Sequence, residues 1–143
     1  VRADHGDPER RVNMQTLAKD FTVKLQDDRP GALAKAFEAI AKTGVNVDGY
    51  SETEGTLHVL TSDPASARKA LETAGLKVSR EDEVVVAEVQ DRPGVAANIF
   101  RQIADANVNV TFSYVATNNR VVIGATNVAK AAEIVSKQGA AIG

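Results

Sequence analysis

From Phe21 the chain alternates. Phe21, Val23 and Leu25 are apolar, and Thr22, Lys24 and Gln26 are polar, a period of two that predicts a half-buried strand. Asp28-Arg29-Pro30-Gly31 breaks it. Leu33, Phe37, Ile40 and Ala41 then recur at helical spacing, so an amphipathic helix is predicted over 31–42, ended by Thr43-Gly44. Val45 to Glu52 and Thr56 to Thr61 read as two strands with a turn near Gly55. Asp63-Pro64 is a helix start, an acidic cap followed by proline at the first position. Ala67, Ala70, Leu71 and Ala74 give that helix an apolar stripe, and Gly75 ends it. Leu76 and Val78 open a fourth strand, so the predicted order is βαββαβ.

The same text then recurs. Asp28-Arg29-Pro30-Gly31 reappears 63 positions on as Asp91-Arg92-Pro93-Gly94. DRPGALAKAFEAIAKTGVNV (28–47) and DRPGVAANIFRQIADANVNV (91–110) share eleven of twenty residues, which makes the chain a duplication. The second copy predicts a strand over 84–90, a helix over 94–106, a hairpin of 108–117 and 120–126 around Asn118-Asn119, and a helix over 128–138. Residues 139–143 align with 75–79, so the chain is expected to stop in or just after its last strand. The fold class that results is α+β: two ferredoxin-like βαββαβ units, each an antiparallel sheet with both helices on one face. The expected division is a mobile tail at 1–18, a first domain at 19–81 and a second at 82–143. Val84-Val85-Val86-Ala87 is apolar on both faces, so the sheet is expected to be covered on its second side, by a partner or by its own tail.

Composition removes several chemistries. Seventeen Lys+Arg against nineteen Asp+Glu give a net charge of −2, and aromatics are 4%, which argues against a nucleic-acid surface. With no cysteine and only His5 and His58, thiol catalysis, disulfides and His-rich metal sites fall away. No apolar run approaches the roughly 20 residues of a membrane helix. Residues 1–13 are polar and lack the apolar stretch of a secretory signal, which favours the cytoplasm. The first methionine is Met14, so the residues before it read as a cloning remnant or the product of an upstream start.

The Asp-Arg-Pro-Gly loop carries the candidate chemistry. It sits between a strand end and a helix start, where backbone N–H groups lack intrahelical partners and carry partial positive charge. Such a helix end accepts a carboxylate. Gly31 and Gly94 have no Cβ, so a ligand can approach the backbone. Asp28 and Asp91 could cap the helix or meet an ammonium group. Asn46 and Asn109, at the entry of the next strand, offer an amide donor and acceptor. Donors, a carboxylate and an amide together suit a zwitterion, that is, a free amino acid. A single copy of such a loop is more often an ordinary turn; two copies at fixed internal spacing are more specific. Arg29 and Arg92 read as solvated, Phe37 and Phe100 as core, and His58 as facing solvent or a neighbour.

The element order, with D-R-P-G-x-x-A opening the first helix and V-N-V opening the second strand, resembles the ACT domain family. The resemblance covers about residues 20–143, and DRPGVAANIFRQIADANVNV is similar to the ACT repeats of aspartokinases. It implies a regulatory module whose domains pair side by side and bind amino acids at the interface, through the first loop and the start of the second strand. Carried over, it implicates Gln26, Asp28, Gly31 and Asn46 in the first unit, and Asp91, Gly94 and Asn109 in the second. Two departures stand out at the repeat spacing. Val89 falls where Gln26 stands, and Glu88 falls where Leu25 stands. Either the register slips by one, or Glu88 faces an interface or a ligand; the two sites are then not expected to be equivalent. No kinase portion is present in the sequence.

The expectation is therefore a non-catalytic amino-acid sensor, homodimeric, acting on a separate enzyme or transcriptional system, with no cofactor and no metal. The alternative is a structural or protein-interaction module. An acylphosphatase-like enzyme is disfavoured because Asp28 and Asp91 would repel phosphate.

Overall fold

The computed structural model describes residues 15–25 and 30–142. Ten elements follow one another: β1 (Gln15–Lys24), α1 (Ala32–Ala41), β2 (Val47–Thr53), β3 (Thr56–Thr61), α2 (Pro64–Thr73), β4 (Lys77–Glu88), α3 (Val95–Asp105), β5 (Val110–Ala116), β6 (Arg120–Ala125) and α4 (Val128–Ile142). The described residues divide into two compact units: one within Lys19–Asp82, and one of Gln15–Ala18 together with Glu83–Ile142. Both are α+β units of the ferredoxin-like kind, antiparallel sheets with helices on one face.

In the first unit β3 pairs antiparallel with both β1 and β2, and β4 lies next to β1. Phe21 stands opposite Val59 and Val23 opposite Leu57. These four pack against Ala36 and Ile40 of α1 and Ala67 and Leu71 of α2, all buried. Each large side chain buried there contributes about 1.5–3 kcal/mol. The Ser79 hydroxyl donates to the Thr22 carbonyl (3.1 Å), tying β4 to β1. Asp63 caps α2 as its sequence predicts: its carboxylate accepts from the Ser66 amide (3.2 Å) and hydroxyl (2.8 Å).

The second unit repeats the plan. β6 pairs antiparallel with β4 and β5, with Val85 opposite Ile123 and Ala87 opposite Val121. Val95, Ile99 and Ile103, four residues apart on α3, and Ala131, Ala132 and Val135 on α4 close its core. Asn127 takes the capping place of Asp63, accepting from the Lys130 amide at 3.1 Å. Asn118 and Asn119 turn the hairpin with φ of 62° and 56°, a backbone that asparagine tolerates.

The structure departs from the sequence reading in three places. β4 is one strand of 12 residues where two were expected, and the division between the units falls inside it. Its polar middle contains no Gly or Pro to break it, and Arg68–Glu81 (2.6 Å) and Arg80–Asp82 (3.0 Å) pairs occupy its charges. α4 runs on to Ile142, so the strand expected over 139–143 is helix. Ala140 and Ala141 favour helix more strongly than Gly139 opposes it. β1 begins at Gln15, inside the segment expected to be a tail. Its residues 15–18 group with the second unit, whose described residues end in α4. Val84, Val85, Val86 and Ala87 are all buried, as their two-faced apolar pattern requires.

Candidate functional site

Gly31 and Gly94 are the N-caps of α1 and α3, with φ of 95° and 90°. That left-handed backbone is open to glycine and strained for most other residues. A Cβ built on either meets nothing within 4 Å, so both backbones face open space. The first helical bonds run from the Lys35 amide to the Gly31 carbonyl and from the Asn98 amide to the Gly94 carbonyl (both 2.9 Å). The amides ahead of Lys35 and Asn98 precede the intrahelical ladder, and the N-cap residues bring no side chain to them. Gln26 and Asp28 lie outside the described residues. In the second unit Asp91 is exposed, three residues before Gly94.

The asparagines stand elsewhere. Asn46 follows α1 and precedes β2, and Asn109 follows α3 and precedes β5. A helix of ten residues is about 15 Å long, so within either unit the glycine and the asparagine sit at opposite ends of a helix. The residues that the sequence gathers into one site are thus divided between two ends of each unit. Asn46 Nδ2 donates to the Asp48 carboxylate (3.0 Å) and to the Val47 carbonyl (3.3 Å). β2 bulges between Val47 and Gly49, and β5 bulges at the matching place between Val110 and Phe112.

The strand register resolves the two departures noted between the repeats. Phe21–Val59 and Val23–Leu57 correspond to Val85–Ile123 and Ala87–Val121, a displacement of 64 rather than 63. The Leu25 amide donates to Gly55 O (2.8 Å) and the Val89 amide to Asn119 O (2.9 Å), again 64 apart. Val89 is therefore the counterpart of Leu25, and each packs partly buried on its own core. Glu88 is the counterpart of Lys24, and both are exposed. Gln90 occupies the place of Gln26, so the polar side chain is not lost from the second repeat. The first loop is one residue longer, and the second hairpin makes up the difference. The signal was in the sequence: Leu-Gln-Asp-Asp-Arg-Pro-Gly against Val-Gln-Asp-Arg-Pro-Gly.

Sequence reasoning missed a buried polar group. Asp20 is fully buried, with Oδ2 2.8 Å from His58 Nδ1, and Thr22 Oγ1 is 3.5 Å from the same nitrogen. Thr22 and His58 are register partners across β1 and β3, on the sheet face away from the helices. Of the two places the sequence allowed His58, solvent or a neighbour, it takes the neighbour, a carboxyl group of its own unit. Tyr50 is half exposed and meets Phe37 edge to face, with ring centroids 4.9 Å apart.

Two units of this topology, each with a helix that begins at the glycine of a D-R-P-G sequence, make a tandem module of the ACT kind. The chain belongs to the ACT domain pair family, whose model matches residues 50–140. No curated protein matches the chain. Among solved structures, protein BT0572 from Bacteroides thetaiotaomicron is 26% identical with a TM-score of 0.72, covering 87% of this chain and 90% of that one. The ligand-free regulatory subunit of aspartate kinase from Thermus thermophilus is 21% identical with a TM-score of 0.61, covering 87% and 97%. The corresponding subunit from Thermus flavus is 19% identical with a TM-score of 0.61, covering 88% and 93%. At that distance the two kinase subunits show the fold alone. No helix among the described residues is long and apolar enough to cross a membrane.

Proposed function

We propose that this chain is a non-catalytic regulatory protein of the cytoplasm that binds free amino acids and acts on a separate enzyme or transcriptional system. One observation carries the reading: both repeats present a left-handed glycine cap with open space above it. The ligand's carboxylate meets the first amides of α1 or α3, and Asp28 or Asp91 takes its ammonium group. Gln26 and its counterpart Gln90 add an amide to each loop. Asn46 and Asn109, at the far helix ends, reach a ligand when a second copy supplies them, which makes the homodimer part of the site. The family membership and the likeness to regulatory subunits support a role without chemistry of its own.

The test is a thermal-shift screen against the twenty amino acids. At a hundred times Kd a ligand stabilises the fold by about 2.7 kcal/mol. For a chain of this size the melting temperature then rises by roughly 6–10 °C. The amide of the active amino acid should bind more weakly, since a charge-assisted bond contributes about 1.5–3 kcal/mol. Bulky replacements at Gly31 and Gly94 should each remove part of the shift. A melting curve that no amino acid moves at millimolar concentration refutes the reading.

A further inference from the structure

Chains built of like repeats exchange matching pieces as a characteristic failure of folding. The most alike stretch here, 28–47 against 91–110, spans the loop after the first strand, the helix and the entry to the next strand, and shares eleven of twenty residues. A strand that joined the wrong repeat would bring with it a helix of nearly the right sequence. On the helix-facing side of the strands the repeats differ only in size. Phe21–Val59 and Val23–Leu57 of the first unit correspond to Val85–Ile123 and Ala87–Val121 of the second, all apolar. The helices differ likewise, with Ala36 of α1 against Ile99 of α3. Cores repack around differences of that kind. On the opposite side the repeats differ in chemistry. At the strand displacement of 64, Asp20, Thr22 and His58 stand where the second unit has Val84, Val86 and Val122. Asp20 is fully buried and Thr22 nearly so, and Asp20 Oδ2 lies 2.8 Å from His58 Nδ1. The three valines are buried as well.

We propose that the Asp20, Thr22 and His58 cluster is a pairing code that keeps each strand with its own repeat as the chain folds. In the exchanged arrangement β1 lies against β6, and the second half of β4 against β3. Asp20 and Thr22 then meet Val122, and His58 meets Val84 and Val86. The hydrogen bond between Asp20 and His58 is gone, while the positions they occupy are buried ones. A buried polar group deprived of its partner lowers the population of that arrangement by about tenfold or more. The code needs a difference between the units rather than a polar cluster as such. Apolar in both, or polar in both, leaves nothing to tell the two pairings apart. It accounts for a polar set in one repeat where the other carries an aliphatic set at the same three places. The inference stands apart from the amino-acid reading, because no ligand enters it.

The experiment refolds the full chain from denaturant and reads which strand lies beside β1. The sequence has no cysteine, so two engineered thiols are the only ones present. Lys24→Cys with Thr56→Cys reports the native pairing, since the two are register partners. Lys24→Cys with Arg120→Cys reports the exchange, since Arg120 is the register partner of Glu88, the counterpart of Lys24. A short thiol crosslinker is added after refolding, and linked peptides are counted by mass spectrometry, within and between chains. Protein that was never unfolded sets the baseline. With the native cluster, refolding should give the 24/56 link and no more than the baseline 24/120 link. The all-apolar variant carries Asp20→Val, Thr22→Val and His58→Val; the all-polar variant carries Val84→Asp, Val86→Thr and Val122→His. Each should raise the 24/120 link about tenfold or more. All six substitutions together move the cluster to the other unit and should return that link to the baseline, a rescue that a merely structural role would not produce. A baseline 24/120 link in either three-site variant, a raised one with the native cluster, or a raised one that persists with all six substitutions overturns the proposal. Failure of any of the three variants to fold overturns it too, because the code requires each set to be accepted at either place.

Discussion

The first unit and the second place different chemistry on the same three positions. Asp20, Thr22 and His58 of the first correspond, at the strand displacement of 64, to Val84, Val86 and Val122 of the second. Both sets are on the sheet face away from the helices, and Asp20, Val84 and Val122 are all fully buried. One duplicated backbone therefore accepts a polar, hydrogen-bonded cluster in one copy and an aliphatic cluster in the other. The fold does not require the polar version. A buried hydrogen-bonded pair contributes little net stability over apolar groups of similar shape, whereas removing one partner alone is costly. The pair in the first unit is thus a choice the fold tolerates.

That comparison can be broken most forcefully at His58. His58→Val removes the imidazole hydrogen-bonded to the fully buried Asp20 carboxyl group and should lower stability by up to about 3 kcal/mol in chemical denaturation. Converting all three positions, Asp20→Val with Thr22→Val and His58→Val, makes the first unit resemble the second. Stability should return to the starting value or exceed it. If the triple variant is as unstable as the single one, the two clusters are not interchangeable.

A size exchange across one strand pair gives the next largest effect. In the first unit Gly49 stands opposite Leu60; in the second Phe112 stands opposite Gly124. A Cβ on Gly124 would lie 2.5 Å from the Phe112 ring, so the ring fills the space that Leu60 fills in the other copy. Gly124→Leu should destabilise by about 1–3 kcal/mol through overpacking. Phe112→Gly together with Gly124→Leu copies the first unit and should recover most of the loss. A double variant whose melting temperature is only the sum of two losses would show no coupling between the positions.

The repeat was legible because helices and loops carried identical residues, DRPG and VNV among them, and because alternation and capping signals agreed locally. The register was less so. Identity in the loop fixed a spacing of 63, while the strands share only an apolar rhythm that fits 63 or 64 until Leu25-Gln26 is matched to Val89-Gln90. The C-terminal helix was misread for the opposite reason: similarity to 75–79 was given more weight than the helix preference of Ala140 and Ala141. For the candidate site the sequence offers a set of residues but not where they stand. Helix length alone puts Gly31 and Asn46 at opposite ends of α1. The Asp20–His58 contact joins residues 38 apart in sequence, with no local pattern to announce it.

The two glycine caps test whether the loops are equivalent. Gly31→Ala and Gly94→Ala meet open space, so only the left-handed backbone opposes them. Each should cost about 1–2 kcal/mol, and by the same amount in both units. A markedly larger loss at one glycine, measured by denaturation, would show that the longer first loop changes how its helix begins.

The smallest expected effect separates α2 from α4 at one matching position. Glu133 has its carboxyl held below the usual carboxylate range, first by the hydrogen bond from Lys137, then by the charges of Lys130 and Lys137. A carboxylate depressed by folding stabilises above its unfolded pKa, and that contribution is lost as pH falls through the folded pKa. Glu133 is exposed, so the effect is small and screened by salt. Glu133→Gln should therefore lower the melting temperature slightly at neutral pH and low salt. The difference from the parent should vanish in acid, where both side chains are neutral, and at high salt. Lys69→Gln, at the matching position of the first unit, should show no such acid-sensitive difference, because Lys69 has no carboxylate partner among the described residues. A Glu133→Gln difference that grows as pH falls, or a Lys69→Gln difference of the same form, would mean that the exchange of Lys69 for Glu133 has no electrostatic consequence.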